Sequence, residues 1–381
     1  LPGLRVPAPG DRLDVGGLGP ARPSEARRQV GSSADPRAAG IGAALRPRPQ
    51  VEVVVEALVP TLEFRPAPKG GADPGGTRIG GTPDLPPGLA WPRRAKPADV
   101  EAIARRGNAE AGEEMRRHFR RELPYAFFAQ VDLGEARGKG AFAEALPGHG
   151  RLLFFYDLTA GPWDNGTESA RVIWDETPRE GLAAQVMPPD LAAADEEHRA
   201  EIAKVNHRFK LPPPKPDAGT PYSGPARPMR LHATLRPPAV ESLEMEARPA
   251  LKAALAPRTD GAEGPRDAYQ DLFAKTFDSY YGAANAGRRN QLLGSPLPEQ
   301  SDPRFEAEVV SRFGVQHLDR EAWKAQRPEI EAGARSWRLL LQIDVGDFLQ
   351  ESGEGTVYFL IRAADLADRR FDRVVAVYQQ T

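Results

Sequence analysis

Apolar and polar positions along the chain follow two rhythms. From Val51 to Phe64 the sequence is rich in β-branched residues and predicts one or two strands. Residues 98–122 place Val100, Ile103, Ala104, Ala111, Met115 and Phe119 near helical spacing, with charges between them. A second helix is predicted after Pro189, with Leu191, Ile202, Val205 and Phe209 apolar. A third is predicted over 265–288, where Tyr269, Leu272, Phe273, Phe277, Tyr280 and Tyr281 form an aromatic stripe. Such a stripe reads as core rather than as a stacking platform for bases. Asp302-Pro303 reads as an N-cap followed by proline at the first helical position, starting a helix through Phe313.

The strand-like stretches repeat. Tyr125 to Glu135 and Trp337 to Asp347 share aromatic, apolar, Gln, apolar, Asp, apolar, Gly and acid in one order, at an offset of 212. Upstream, Ile79 to Pro83 matches Leu292 to Pro296 at 213; downstream, Gly150 to Tyr156 matches Gly355 to Ile361 at 205, and Arg171-Val-Ile matches Arg373-Val-Val at 202. Two copies are too few and too long for a solenoid, so they predict two similar halves of one body. The loops between strands are short enough for antiparallel neighbours. The expected fold is α+β and pseudo-duplicated, each half a mixed or antiparallel sheet with packed helices. The repeats span about 79–177 and 292–380, joined by a helical and Pro-rich middle segment, 178–291.

Composition sets the boundaries. The 381 residues hold 37 Gly and 39 Pro, and 16 of these fall in residues 1–50, which predicts a disordered Pro/Gly/Arg-rich tail ahead of a folded 51–381. That tail holds no apolar stretch of the length a secretory signal needs. Leu211 to Pro238, opening Leu-Pro-Pro-Pro-Lys-Pro, reads as an extended connector, with a proline-motif docking peptide as the alternative. With 51 Lys+Arg against 53 Asp+Glu, the chain lacks the basic excess of a dedicated nucleic-acid binder. No apolar run is long enough to span a membrane. The absence of cysteine excludes disulfides, thiolate metal sites and cysteine nucleophiles.

The remaining stock for chemistry is small. The six histidines stand at no close metal-ligand spacing, and no nucleophile elbow, P-loop or dinucleotide turn is present. No metal or cofactor is therefore expected. Gln130 and Asp132, and their counterparts Gln342 and Asp344, fall two apart on strands and so share a face. Brought together between the halves, they would make a polar ligand- or cation-binding cluster; alternatively each Asp caps the next turn and each Gln satisfies backbone groups. The loop from Asp157 to Asp175 offers Trp163 and Asp164 as a partner contact, or Trp163 as core filling. Asn165-Gly166-Thr167 fits a glycosylation pattern.

Arg78-Ile-Gly-Gly-Thr-Pro-Asp-Leu-Pro86 through Trp91-Pro92 resembles the opening of the YwqG-like family, a bacterial group of unknown function. Phe128 to Leu133, Gly150 to Asp157, Gln291 to Pro296 with Gln300 and Asp302, Trp337 to Asp344, Gly355 to Asp365, and Phe371 to Gln379 follow in the family's order. The resemblance covers roughly residues 60–381 and implies an α+β fold in a bacterial, cytoplasmic protein. It implies no established activity. Some relatives are associated with polymorphic toxin loci, which implies a toxin-like protein partner. Asn290 stands where relatives often have His, and Gln350 to Gly355 lacks their Trp-Gly-Asp; the 93–124 segment and the tail look like additions. The expected function is thus a non-catalytic protein-binding role, with toxin neutralisation as its specific form; the alternative is an enzyme or small-ligand binder using Gln130, Asp132, Gln342 and Asp344.

Overall fold

The β-branched run that begins at Val51 is helical before it becomes a strand. The helix Arg48–Ala57 ends at Ala57, and the strand Val59–Pro66 follows. Val54 and Ala57, one turn apart, are buried against Met245, Leu251, Leu255 and Tyr269. That contact decides the conformation, since packing of an apolar face routinely overrides the weak preference of valine for strands. The expectation of strand throughout 51–64 is corrected accordingly.

The computed structural model describes residues 48–68, 73–256, 263–277, 285, 287–351 and 353–380. The predicted tail lies outside these up to residue 47, as do Tyr280 and Tyr281 of the aromatic stripe. The strands are β1 (Val59–Pro66), β2 (Arg78–Ile79), β3 (Asp84–Leu85), β4 (Ala126–Asp132), β5 (Arg151–Tyr156), β6 (Ala170–Asp175), β7 (Ala183–Ala184), β8 (Arg227–Arg236), β9 (Gln291–Leu292), β10 (Trp337–Asp344), β11 (Thr356–Arg362) and β12 (Val375–Gln379). The helices are α1 (Arg48–Ala57), α2 (Val100–Ala104), α3 (Ala109–Arg121), α4 (Leu133–Arg137), α5 (Pro189–Phe209) and α6 (Leu243–Glu246). They continue as α7 (Pro249–Ala254), α8 (Pro265–Phe277), α9 (Pro303–Phe313), α10 (Arg320–Ala334), α11 (Val345–Leu349) and α12 (Ala363–Ala367).

Ten strands form one sheet in the order β12-β11-β10-β9-β1-β8-β2-β4-β5-β6, with β3 and β7 paired separately. Every pairing is antiparallel. The sheet curls into a nearly closed barrel: Gly166, just before β6, exchanges both amide hydrogen bonds with Ala376 of β12 (2.9 and 3.0 Å). Its inner face holds Leu62, Phe128, Phe154, Tyr156, Phe348 and Phe359, with Phe128 and Phe348 stacked at 4.1 Å. On the outer face, α9 covers Trp337, Leu339, Tyr358 and Leu360, and Leu191 of α5 joins Trp91, Phe127 and Phe155.

Three expectations need adjustment. The connector reading holds no further than residue 226, because β8 pairs with all eight residues of β1 at the centre of the sheet. Pro228 is tolerated near the start of that strand, where a missing N–H costs least. The 98–122 helix is two helices, interrupted at Arg105–Asn108; the Asn108 side chain caps α3 by accepting the Ala111 amide. The 265–288 helix is described to Phe277 only. The Asp302 N-cap and its helix through Phe313 follow the sequence reading, with Gly314 as C-cap.

Candidate functional site

Gln130 and Asp132 lie on the outer face of β4, beneath the segment that links β2 to β3. The sequence turns sharply there at Gly80 and Gly81, both at positive φ (67° and 77°), a conformation glycine adopts without strain. The turn carries Asp84 back over the strand. Gln130 Oε1 accepts the Asp84 amide at 3.1 Å, while its Nε2 donates to Gly76 O at 3.0 Å and to Asp84 Oδ2 at 3.1 Å. Arg78 Nη1 donates to the same carboxylate at 2.7 Å, so Asp84 stays ionised below the usual range although burial works against it. Asp132 caps α4 through the Gly134 amide at 2.9 Å and pairs with Arg179.

Gln342 and Asp344 occupy the corresponding places on β10, beneath the segment that follows β9. Leu293 and Gly294 turn the chain at positive φ (60° and 85°). Gln342 Oε1 accepts the Leu297 amide at 3.0 Å. Its Nε2 is buried with no hydrogen-bond partner among the described residues, because leucine stands where the first segment has Asp84. Asp344 caps α11 through the Asp347 amide at 2.7 Å, and its own amide donates to Asn290 Oδ1 at 2.8 Å. Burial is the main cause that pushes the Asp344 pKa up to about 6; the Asp347 amide and Arg289 oppose it, and Asp347 and Glu299 add to it.

The structure does not bring the two pairs together. Strands β2, β8, β1 and β9 separate β4 from β10, about 24 Å measured along the sheet at ~4.8 Å per strand. Each pair sits under its own covering segment, so the expected cluster between two halves is corrected to two separate polar anchors. Both aspartates act as helix caps and both glutamines hold a backbone amide. No group of three or more metal-ligating side chains occurs among the described residues.

Trp163 and Asp164 serve a third place. Trp163 packs against Ile103, Ala104, Met115 and Phe119, filling the space between its loop and helices α2 and α3. Asp164 accepts hydrogen bonds from Arg94 and from Arg106 Nη1, the latter at 2.7 Å. Beside it, buried Asp157 accepts from Arg94 Nη1 at 2.9 Å, stands 2.8 Å from His118 Nε2, and also accepts the amides of Thr159 and Ala160. Burial acts to raise the Asp157 pKa, but His118, Arg94 and the amides outweigh it and hold the carboxyl well below the usual range. Sequence spacing carries no sign of this cluster: Arg94, His118 and Asp157 are far apart in the chain and meet only because 93–124 docks on the loop. Asn165 is buried and joins that loop to β12 and α9, accepting the Tyr378 amide at 2.9 Å and donating to Glu306 at 3.1 Å, so the glycosylation pattern is internal.

One open groove of about 420 Å³ lies where α9 and α10 meet α6 and α7. Phe305 and Trp323, edge to face at 6.3 Å, line it together with the charged Glu241, Glu246, Glu331, Lys252, Arg327 and Arg335. Both aromatic rings are half-buried. None of the sequence-predicted residues lies there. The signal that could have found it is Trp323, placed one turn into a helix and left partly uncovered.

No helix among the described residues is long and apolar enough to cross a membrane. No curated protein matches the sequence. A family profile does match, over residues 77–379, from β2 to the last residue of β12. The chain therefore belongs to the family described as a domain of unknown function (DUF1963).

Proposed function

We propose that this chain acts by binding another protein rather than by catalysis, and that the partner is a toxin it neutralises in the bacterial cytoplasm. The observation that carries this reading is the α9–α10 groove. It brings half-buried Trp323 beside Arg327 and Arg335, and tryptophan and arginine are the residue types enriched in binding hot spots. The resemblance to YwqG-like proteins points the same way. Affinity capture with the toxin encoded beside its gene tests it: Trp323→Ala should lose most of the capture, by about 2 kcal/mol or more. No capture by the parent chain, or capture indifferent to Trp323→Ala, would refute it.

A second reading, a small-ligand or cation binder or an enzyme, is favoured by one observation: Gln342 Nε2 lacks a partner among the described residues, beside Asp344, whose burial pushes its pKa up to about 6. Gln130 and Asp132, already held by Asp84 and Arg179, would take no part. Thermal-shift screening of the parent chain and Asp344→Asn against metals and metabolites separates the readings; a shift lost in the variant favours this one.

We also infer that the halves are two copies of one motif. Three features support it. The ladder slips between Phe127 and Ala129 and again between Leu339 and Leu341, positions 212 apart. Thr77 Oγ1 accepts the Asp132 amide as Asn290 Oδ1 accepts that of Asp344. Gly150 O accepts the Leu133 amide as Gly355 O accepts that of Val345, both at 3.0 Å. Aligning the two segments across the family tests this; relatives whose halves agree no better than chance would count against it.

A further inference from the structure

Helix α5 is longer than the body it rests on. Its buried residues are Leu191 and Ala194, both in its first half. From Glu201 to Phe209 every residue is exposed except half-buried Asn206. At about 100° per residue, Leu191, Ala194, His198, Ile202, Val205 and Phe209 fall within an arc of roughly 80°. One apolar stripe therefore begins against the body and continues off it. The chain returning from the tip lies beside it, bonded through Asn206 Nδ2 to Pro212 O at 2.8 Å and Arg199 Nη1 to Ala218 O at 2.7 Å, yet the outer stripe stays open among the described residues: Ile202 and Val205 are each 38% exposed and Phe209 is 63% exposed. An apolar stripe left in water adds nothing to the helix, since helix stability in proteins comes from packing an apolar face.

Charge along the same overhang identifies what covers it. Glu201, Lys204 and Arg208 lie on one flank of the stripe, the acid toward the body and the bases toward the tip; Glu197, further back, already pairs with Arg121 at 2.8 Å. Glu201 and Lys204 make only a loose, exposed ion pair at 3.6 Å. When two such helices pack antiparallel about a two-fold axis, the same flank of each faces the other. The acid near the body on one helix then meets the base near the tip of the other, whereas in a parallel pair this flank would face the partner's opposite flank and its charges would not pair with one another. We propose that the α5 overhang is an interface with a second copy of this chain, the axis passing at Val205. Ile202 then packs on the second copy's Phe209, and Glu201 lies beside its Arg208. All these pairings share a midpoint within half a residue of Val205. The nine-residue overhang also fits, because the tip of one helix reaches the level of Glu201 on the other and stops short of Arg199, whose side chain still bonds the body at Ala218 O (2.7 Å). Two short helix ends bury less than the ~1,200 Å² of a standard interface, so association is reversible and in the micromolar range.

Sedimentation of the full chain from about 5 to about 300 µM should show a concentration-dependent monomer–dimer equilibrium. Val205→Glu sets two carboxylates across the axis and should weaken association at least about tenfold without altering the circular dichroism spectrum. Glu201→Arg and Arg208→Glu should each weaken it, and the double variant should restore it. The chain has no cysteine, so Val205→Cys provides a single thiol that should cross-link into a dimer on mild oxidation. The control Val186→Cys, at a position 87% exposed and outside the helix, should cross-link far less. A chain monomeric at every concentration overturns the proposal. So does a dimer indifferent to Val205→Glu, a double charge swap that fails to rescue, or binding of a different protein to the stripe of a monomer. The α9–α10 groove is untouched by these variants, so neither reading depends on the other.

Discussion

Gln342 accepts the backbone amide of Leu297 at 3.0 Å and leaves its own amide nitrogen buried without a partner among the described residues, whereas Gln130 accepts the amide of Asp84 and donates to that residue's carboxylate. The difference lies in one position, aspartate in the first segment and leucine in the second. Removing a hydrogen-bonding side chain costs most where charged or buried partners are left unsatisfied. Gln130→Ala should therefore cost roughly 2–3 kcal/mol and Gln342→Ala about 1 kcal/mol less, as read from urea denaturation. Equal costs would mean that the Asp84 contact contributes little.

Asp344 links stability to pH. Its folded pKa of about 6 lies above that of an unfolded aspartate, so the folded state holds the proton more tightly. The resulting stabilisation is complete below about pH 4 and is lost as pH rises through about 6, with a total on the order of 3 kcal/mol. An amide in place of the carboxyl keeps the helix cap without the charge. Asp344→Asn should thus gain stability relative to the parent as pH is raised from about 4.5 to about 7. Denaturation curves at the two pH values check this; a gap that does not change with pH would exclude the linkage.

Arg304 joins two helices through charge. It donates to both oxygens of Glu244, at 2.7 Å to one of them, and to Asp302, which is fully buried. Burial alone would lower its pKa, but Asp302 and Glu244 hold it well above the ordinary value. Replacing Arg304 by Met leaves two carboxylates uncompensated, so Arg304→Met should destabilise by about 3–5 kcal/mol. Thermal unfolding at neutral pH measures it, and a loss below about 1 kcal/mol would contradict the ion pairs.

Gly161 sits against the ring of Tyr156, where an added Cβ would overlap the phenol. Tyr156 is fully buried in the barrel core, where close packing resists displacement of a side chain. Gly161→Ala should cost roughly 1–3 kcal/mol. Near-neutral behaviour, measured by the same thermal unfolding, would show that the tyrosine has another rotamer open to it.

The sequence is most legible where local chemistry and tertiary structure agree. The Asp302-Pro303 start, the Asp132 and Asp344 strand ends, and the repeat of Gln-apolar-Asp each depend on residues close in the chain. A strand reading of Val51 to Ala57 fails because the helix there is stabilised by Tyr269 and Leu251, some two hundred residues away. A connector reading of residues 227–236 fails because Pro228 hides a strand whose place is fixed only by its partner β1. The Arg94, His118 and Asp157 cluster has no spacing to betray it.

By itself, then, the sequence determined the strands of the two repeated stretches, the glycine turns between them and their shared pattern, since these follow from side-chain period and backbone preference within a few residues. Only the tertiary structure decided that the stretches join one ten-stranded sheet, that β1 and β8 stand between them, and that the Gln/Asp pairs lie apart. Those outcomes depend on hydrogen bonds and burial between distant segments, which local preference does not encode.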